Sequence, residues 1–141
     1  MKDVIRKEHS FNFPIEKVWD AISKADEISS WFVKADFKAE SGYAYTFSSL
    51  EEDCPKITGV VKHAKPFTLI YTWIVEGTDI ETVVKWELTE NDKGTKLVLE
   101  HSGISNYPEN SAVTFFASFD AGWNGCMHKL ETFLPKQIHA R

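Results

Sequence analysis

The stretch Ile80-Glu81-Thr82-Val83-Val84-Lys85-Trp86-Glu87-Leu88 decides the fold class of this chain. Ile80, Thr82, Val84, Trp86 and Leu88 fall on one side of an extended backbone, with Glu81, Lys85 and Glu87 on the other. One face is therefore buried and one wet, the pattern of an antiparallel sheet. Asn91-Asp92-Lys93-Gly94 supplies a turn, with glycine available for a positive φ. The alternation then resumes from Thr95 to Ser102, with Leu97 and Leu99 inward, Lys96 and Glu100 outward, and His101 on the inner face.

Working outward, turn residues break Ala35 to Ser102 into strands about a dozen residues apart. Thr68 to Val75 places Leu69, Tyr71, Trp73 and Val75 on one face, Lys65-Pro66 is a turn, and Ile57 to His63 is another strand. Phe37 and Ala39 lead into Ser41-Gly42, after which Tyr43, Tyr45 and Phe47 alternate, so this region reads as a hairpin. Leu50 to Pro55 is an acidic loop whose run Glu51-Glu52-Asp53 is expected to be solvated.

At the start of the chain, Val4 to Phe13 reads as a first strand ended by Pro14. Ile15, Val18, Trp19 and Ile22 then follow helical spacing, predicting a helix over Pro14 to Ser23, with Trp19 a packing residue. Asp26 is placed to cap a further turn or two, Glu27 to Phe32, burying Ile28, Trp31 and Phe32. After a loop from Ser102 to Asn110, Phe116, Phe119, Trp123, Met127, Leu130 and Leu134 predict a long helix from Ser111 to about Gln137. Gly122 and Gly125 inside it each cost about 1 kcal/mol relative to alanine, which points to close approach or open space beside them.

The 141 residues, 43% hydrophobic and 13% aromatic, fit a single globular domain whose core is large enough to hold a cavity. Sixteen basic against 21 acidic residues give a net charge of -5, and the basic ones form no stripe, so nucleic acid is not an expected partner. Cys54 and Cys126 lie far apart without metal-ligand spacing, and His9, His63, His128 and His139 show none either. We therefore expect reduced thiols, a cytoplasmic protein, and neither a metal nor another cofactor. The first eight residues contain no signal-like apolar run, and no stretch approaches 18 apolar residues, so no membrane span is expected.

The run Phe13-Pro14-Ile15-Glu16-Lys17-Val18-Trp19-Asp20-Ala21-Ile22, with Trp31-Phe32 after it, resembles the opening of the START-like superfamily, which includes the birch-pollen-allergen type. Within it the chain is similar to the branch of activator of heat shock protein 90 ATPase homologue-like proteins. That branch is matched by Pro66 with Leu69, Tyr71, Thr72 and Trp73, by Gly94-Thr95-Lys96-Leu97, by His101-Ser102-Gly103, and by Gly122-Trp123 leading to Leu130. The resemblance implies an α+β helix-grip fold, in which a curved antiparallel sheet of six to seven strands wraps the last helix around a cavity. It places Trp31, Tyr45, Phe47, Trp73, Trp86, His101, Phe119, Trp123 and Met127 as ligand-binding candidates.

These expectations favour non-enzymatic binding of a small hydrophobic ligand, lipid-like or polyketide-like, with indole and phenol groups orienting ring or carbonyl character. The branch name implies a second reading, a chaperone as partner. A third is a cyclase or hydratase with His101 as acid or base. A lone inward histidine more often serves as a hydrogen-bonded wall residue, and no spacing forces Asp79 or Asp120 against His101. Ser102 lacks the surroundings of a nucleophile elbow. Cys54 among acidic neighbours is an unfavourable thiolate and Cys126 a packing residue.

Overall fold

A computed structural model describes residues 3–48 and 56–139. The elements run β1 (Ile5–Phe11), α1 (Ile15–Ser23), α2 (Ala25–Trp31), β2 (Lys34–Asp36), β3 (Ala44–Ser48), β4 (Ile57–Lys65), β5 (Thr68–Val75), β6 (Glu81–Asn91), β7 (Gly94–Ser102) and α3 (Glu109–His139). A single 3-10 turn, Ile104–Asn106, precedes α3. The strands form one antiparallel sheet in the order β1-β7-β6-β5-β4-β3-β2, and this is the helix-grip α+β architecture.

The alternation read from β6 and β7 holds residue by residue. Thr82, Val84, Trp86 and Leu88 are buried on β6, as are Thr95, Leu97, Leu99 and His101 on β7. The register sets Trp86 opposite Leu99 and Val84 opposite His101, while on the other side Thr82 faces Trp73 and Val84 faces Tyr71. The inward side chains of three neighbouring strands thus form one continuous wall. Rings from α3 complete it: Trp123 lies 5.3 Å from Trp73 and 5.8 Å from Trp86, measured between centroids.

Several expectations need correction. The strand after α2 is Lys34–Asp36, not the stretch around Phe37 and Ala39; it pairs with β3, and a long loop replaces the tight hairpin. Phe37 turns into the core and is boxed by Tyr45, Phe47 and Tyr71, a burial worth more than one further ladder position. Asp26 does not cap α2, which begins at Ala25; its carboxylate instead accepts from the neighbouring Glu27 N–H. The final helix starts at Glu109, two residues before the predicted Ser111. Trp19 does pack as read, half-buried against the core and edge-on to Phe67. The acidic loop 50–55 and Cys54 lie outside the described residues.

Candidate functional site

An apolar pocket of about 200 Å3 lies between the sheet and α3. Phe32 and Val33, in the link between α2 and β2, close one side; Ile57 at the start of β4 and Trp73 on β5 form the floor. Ser118, Phe119, Gly122 and Trp123 of α3 form the roof, with Ser118 and Gly122 exposed at its mouth. Gly122 explains itself here: a Cβ at this position meets nothing within 4 Å, so of the two meanings of a mid-helix glycine the structure shows open space. Gly125 is equally open but does not line the pocket.

Behind the pocket wall runs a chain of hydrogen bonds that fixes the state of His101. The Trp123 indole N–H donates to Nδ1 of His101 at 2.9 Å. An indole N–H is only a donor, so Nδ1 is the acceptor and the imidazole proton sits on Nε2. That N–H donates to the Thr82 hydroxyl at 2.7 Å, and the hydroxyl in turn donates to the Trp73 carbonyl at 3.2 Å. His101 is wholly buried, and burial lowers its pKa from 6.5 to about 4, so the ring is neutral at ordinary pH.

This arrangement suits a strut better than an acid or base. Both imidazole nitrogens are engaged within the protein, and Phe119 stacks on the ring at 4.8 Å. Among the described residues no carboxylate bonds to it; the Asp120 carboxylate accepts from Lys7 Nζ at 2.6 Å instead. Cys126 is buried and free, and burial pushes its thiol pKa up, away from a reactive thiolate. Among the described residues no three His, Cys, Asp or Glu side chains converge as metal ligands.

The nine candidate residues divide by position. Trp73, Phe119 and Trp123 line the pocket. His101, Trp86 and Phe47 stand one layer behind: His101 and Trp86 touch Trp123, and Phe47 bridges Trp73 at 6.4 Å and Phe32 at 5.8 Å. Tyr45 lies deeper, its hydroxyl donating to the Thr72 carbonyl, and Met127 is buried farther along α3. Trp31 belongs elsewhere. It borders an open hollow of about 480 Å3 with Ser30, His128, Lys129, Thr132 and Phe133, and its indole donates to the Ala21 carbonyl. That hollow is larger and somewhat more open, and Ser30, His128, Lys129 and Thr132 give its lining a more polar character than that of the pocket under α3. Phe32, Val33, Ile57 and Ser118 were not anticipated as lining residues. Only Phe32 left a trace, as an expected buried contact.

Residues 12–135 match the family described as Activator of Hsp90 ATPase homolog 1-like protein, and the chain belongs to that family. Protein MLL2253 from Mesorhizobium loti is 27% identical, with a TM-score of 0.83 over 94% of this chain and 97% of its own. Bacillus halodurans protein BH1534 is 30% identical, with a TM-score of 0.76, 95% of this chain covered and 97% of that one. DynU16, described as a putative protein in the dynemicin biosynthetic locus, shares the fold at 24% identity and a TM-score of 0.82; the match covers 96% of this chain and 48% of DynU16. No curated protein matches the chain. Among the described residues no helix is long and apolar enough to cross a membrane.

Proposed function

We propose that the protein binds a small hydrophobic or aromatic molecule, lipid-like or polyketide-like, between the sheet and α3, without transforming it. The observation that carries this reading is the apolar pocket itself, walled by three aromatic rings from α3 and the sheet, Trp73, Phe119 and Trp123, in a domain whose other rings pack against one another. Concave apolar space with few polar groups is the usual form of a small-molecule site. Its volume of about 200 Å3 is below the ~300–1,000 Å3 usual for drug-sized ligands, which favours a compact molecule or one end of a longer one emerging past Ser118 and Gly122. Support also comes from the engaged state of His101, which leaves the pocket without the free acid or base that turnover would ask of that residue.

Tryptophan fluorescence tests the proposal, since Trp73 and Trp123 both face the pocket. Titration with a panel of lipids and aromatic compounds should change the emission with a dissociation constant below about 1 mM. Gly122→Leu, which projects a side chain into the open space at the mouth, should abolish that response while Gly125→Leu preserves it. Absence of binding across the panel overturns the reading. A chaperone contact has a different signature: a raised chaperone ATPase rate that does not respond to Gly122→Leu.

A further inference from the structure

The lining of the pocket is graded along its depth. Trp73 and Trp123 are buried at the inner end, Phe32 and Ile57 are partly exposed along the sides, and Ser118 and Gly122 are exposed at the mouth. The polar side-chain atoms of this lining are two indole N–H groups and the Ser118 hydroxyl. Neither indole serves an occupant: the Trp123 N–H is donated to His101 at 2.9 Å, and the Trp73 N–H is shielded from solvent. The other donors expected to orient a ligand are spent inside the protein, Tyr45 on the Thr72 carbonyl and Trp86 on the Tyr71 hydroxyl. A hydroxyl or carbonyl carried to the inner end would therefore give up its water and find no side-chain partner among the described residues, a loss of about fivefold to a hundredfold in affinity.

We infer that the pocket selects an amphiphile with one bare hydrocarbon end, an alkyl chain or an unsubstituted aryl ring, which enters first while the polar group stays in water at the mouth beside Ser118 and Gly122. This rests on the proposed binding function and narrows it: a molecule oxygenated around its whole periphery is rejected. The volume of about 200 Å3 agrees, since a ligand of ordinary size leaves part of itself outside. Gly122 keeps that exit clear, because a Cβ there meets nothing within 4 Å, and the helix gives up propensity at the point where the ligand emerges. Recognition then falls on the hydrocarbon, each further methylene adding about fourfold until the inner end is filled. The polar group remains hydrated, so its charge is read weakly.

Matched probes titrated into the full 15N-labelled chain test this: octanol, the octanediol with a hydroxyl at each end, octanoate, and phenylbutanol with its ring-hydroxylated analogue. Octanol should bind at least about fivefold more tightly than the diol, and phenylbutanol than its phenolic analogue, as expected for burying one unpaired hydroxyl. Octanol and octanoate should agree within about threefold, because the group that differs stays in water. Orientation is read separately with an octanoyl ester carrying a nitroxide at its polar end, whose paramagnetic broadening should be stronger at the Ser118 and Gly122 amides than at the Trp73 and Trp123 indoles. A smaller difference within either hydroxyl pair, a larger one between octanol and octanoate, or broadening at least as strong at the indoles overturns the inference while leaving an occupied pocket. Failure of every probe to shift the Trp73 and Trp123 indole resonances overturns the binding function with it.

Discussion

His101 is wholly buried and neutral, and its depressed pKa carries a thermodynamic consequence. Between pH 6.5, its ordinary value, and about 4, its value in the fold, the unfolded chain binds a proton that the folded one refuses. Stability therefore falls as the pH drops through that window, by up to about 3 kcal/mol at 1.36 kcal/mol per pH unit. Denaturation midpoints of the native protein and of His101→Gln across this range should diverge in slope by that amount, because glutamine removes the titration. Equal slopes would refute it. In addition, the His101 imidazole resonances should not titrate between pH 7.5 and 5. The inward direction of this residue was legible from the period-two pattern of β7, as was that of its acceptor Thr82 on β6. Its bond from Trp123 was not, since a sequence gives the face of a strand and the stripe of a helix but not the distance between them. The same gap explains the pocket: spacing identified Trp73, Trp86 and Tyr45 as inward alike, and only packing shows that Trp73 lines the pocket while the other two do not.

Among the elements, α3 and the β4–β5 pair respond to substitution in opposite directions. Gly122 and Gly125 sit in the helix interior, exposed, with nothing within 4 Å of a Cβ. Alanine at either should stabilise by about 0.5–1 kcal/mol through helix propensity and the unfolded state, read as a raised urea midpoint. A loss of stability at Gly122 would mean that the open space is needed by the fold itself. Gly59 in β4 is the converse. A Cβ there falls 2.2 Å from the Thr72 carbonyl oxygen and 2.8 Å from its hydroxyl, which already accepts the Val60 N–H. Backbone must shift, so Gly59→Ala should cost about 2 kcal/mol or more, and a neutral result in the same urea assay would contradict the close approach. Elements with strong alternation, β5 to β7, were read with nearly correct bounds. The three-residue β2 was missed because Lys34-Ala35-Asp36 has no apolar alternation to detect; its position comes from pairing with Ser48, Phe47 and Thr46.

For the molecule as a whole, order of elements and family motifs agreed with the final architecture because they are chain-long signals, and the family match likewise spans residues 12–135. A cavity is a different kind of quantity, the small volume left after some thirty side chains have packed, and no local pattern encodes it. Its occupancy does have a global signature. A ligand that binds only the folded state adds RT ln(1 + [L]/Kd), or about 2.7 kcal/mol at a hundredfold excess over Kd. For a chain of 141 residues that corresponds to a Tm increase on the order of 10 °C. Thermal unfolding with rising octanol should show this logarithmic increase in the native protein and in Gly125→Leu, and lose it in Gly122→Leu. An increase that survives Gly122→Leu would move the binding site away from the pocket, and the hollow beside Trp31 and Phe133 would become the place to look.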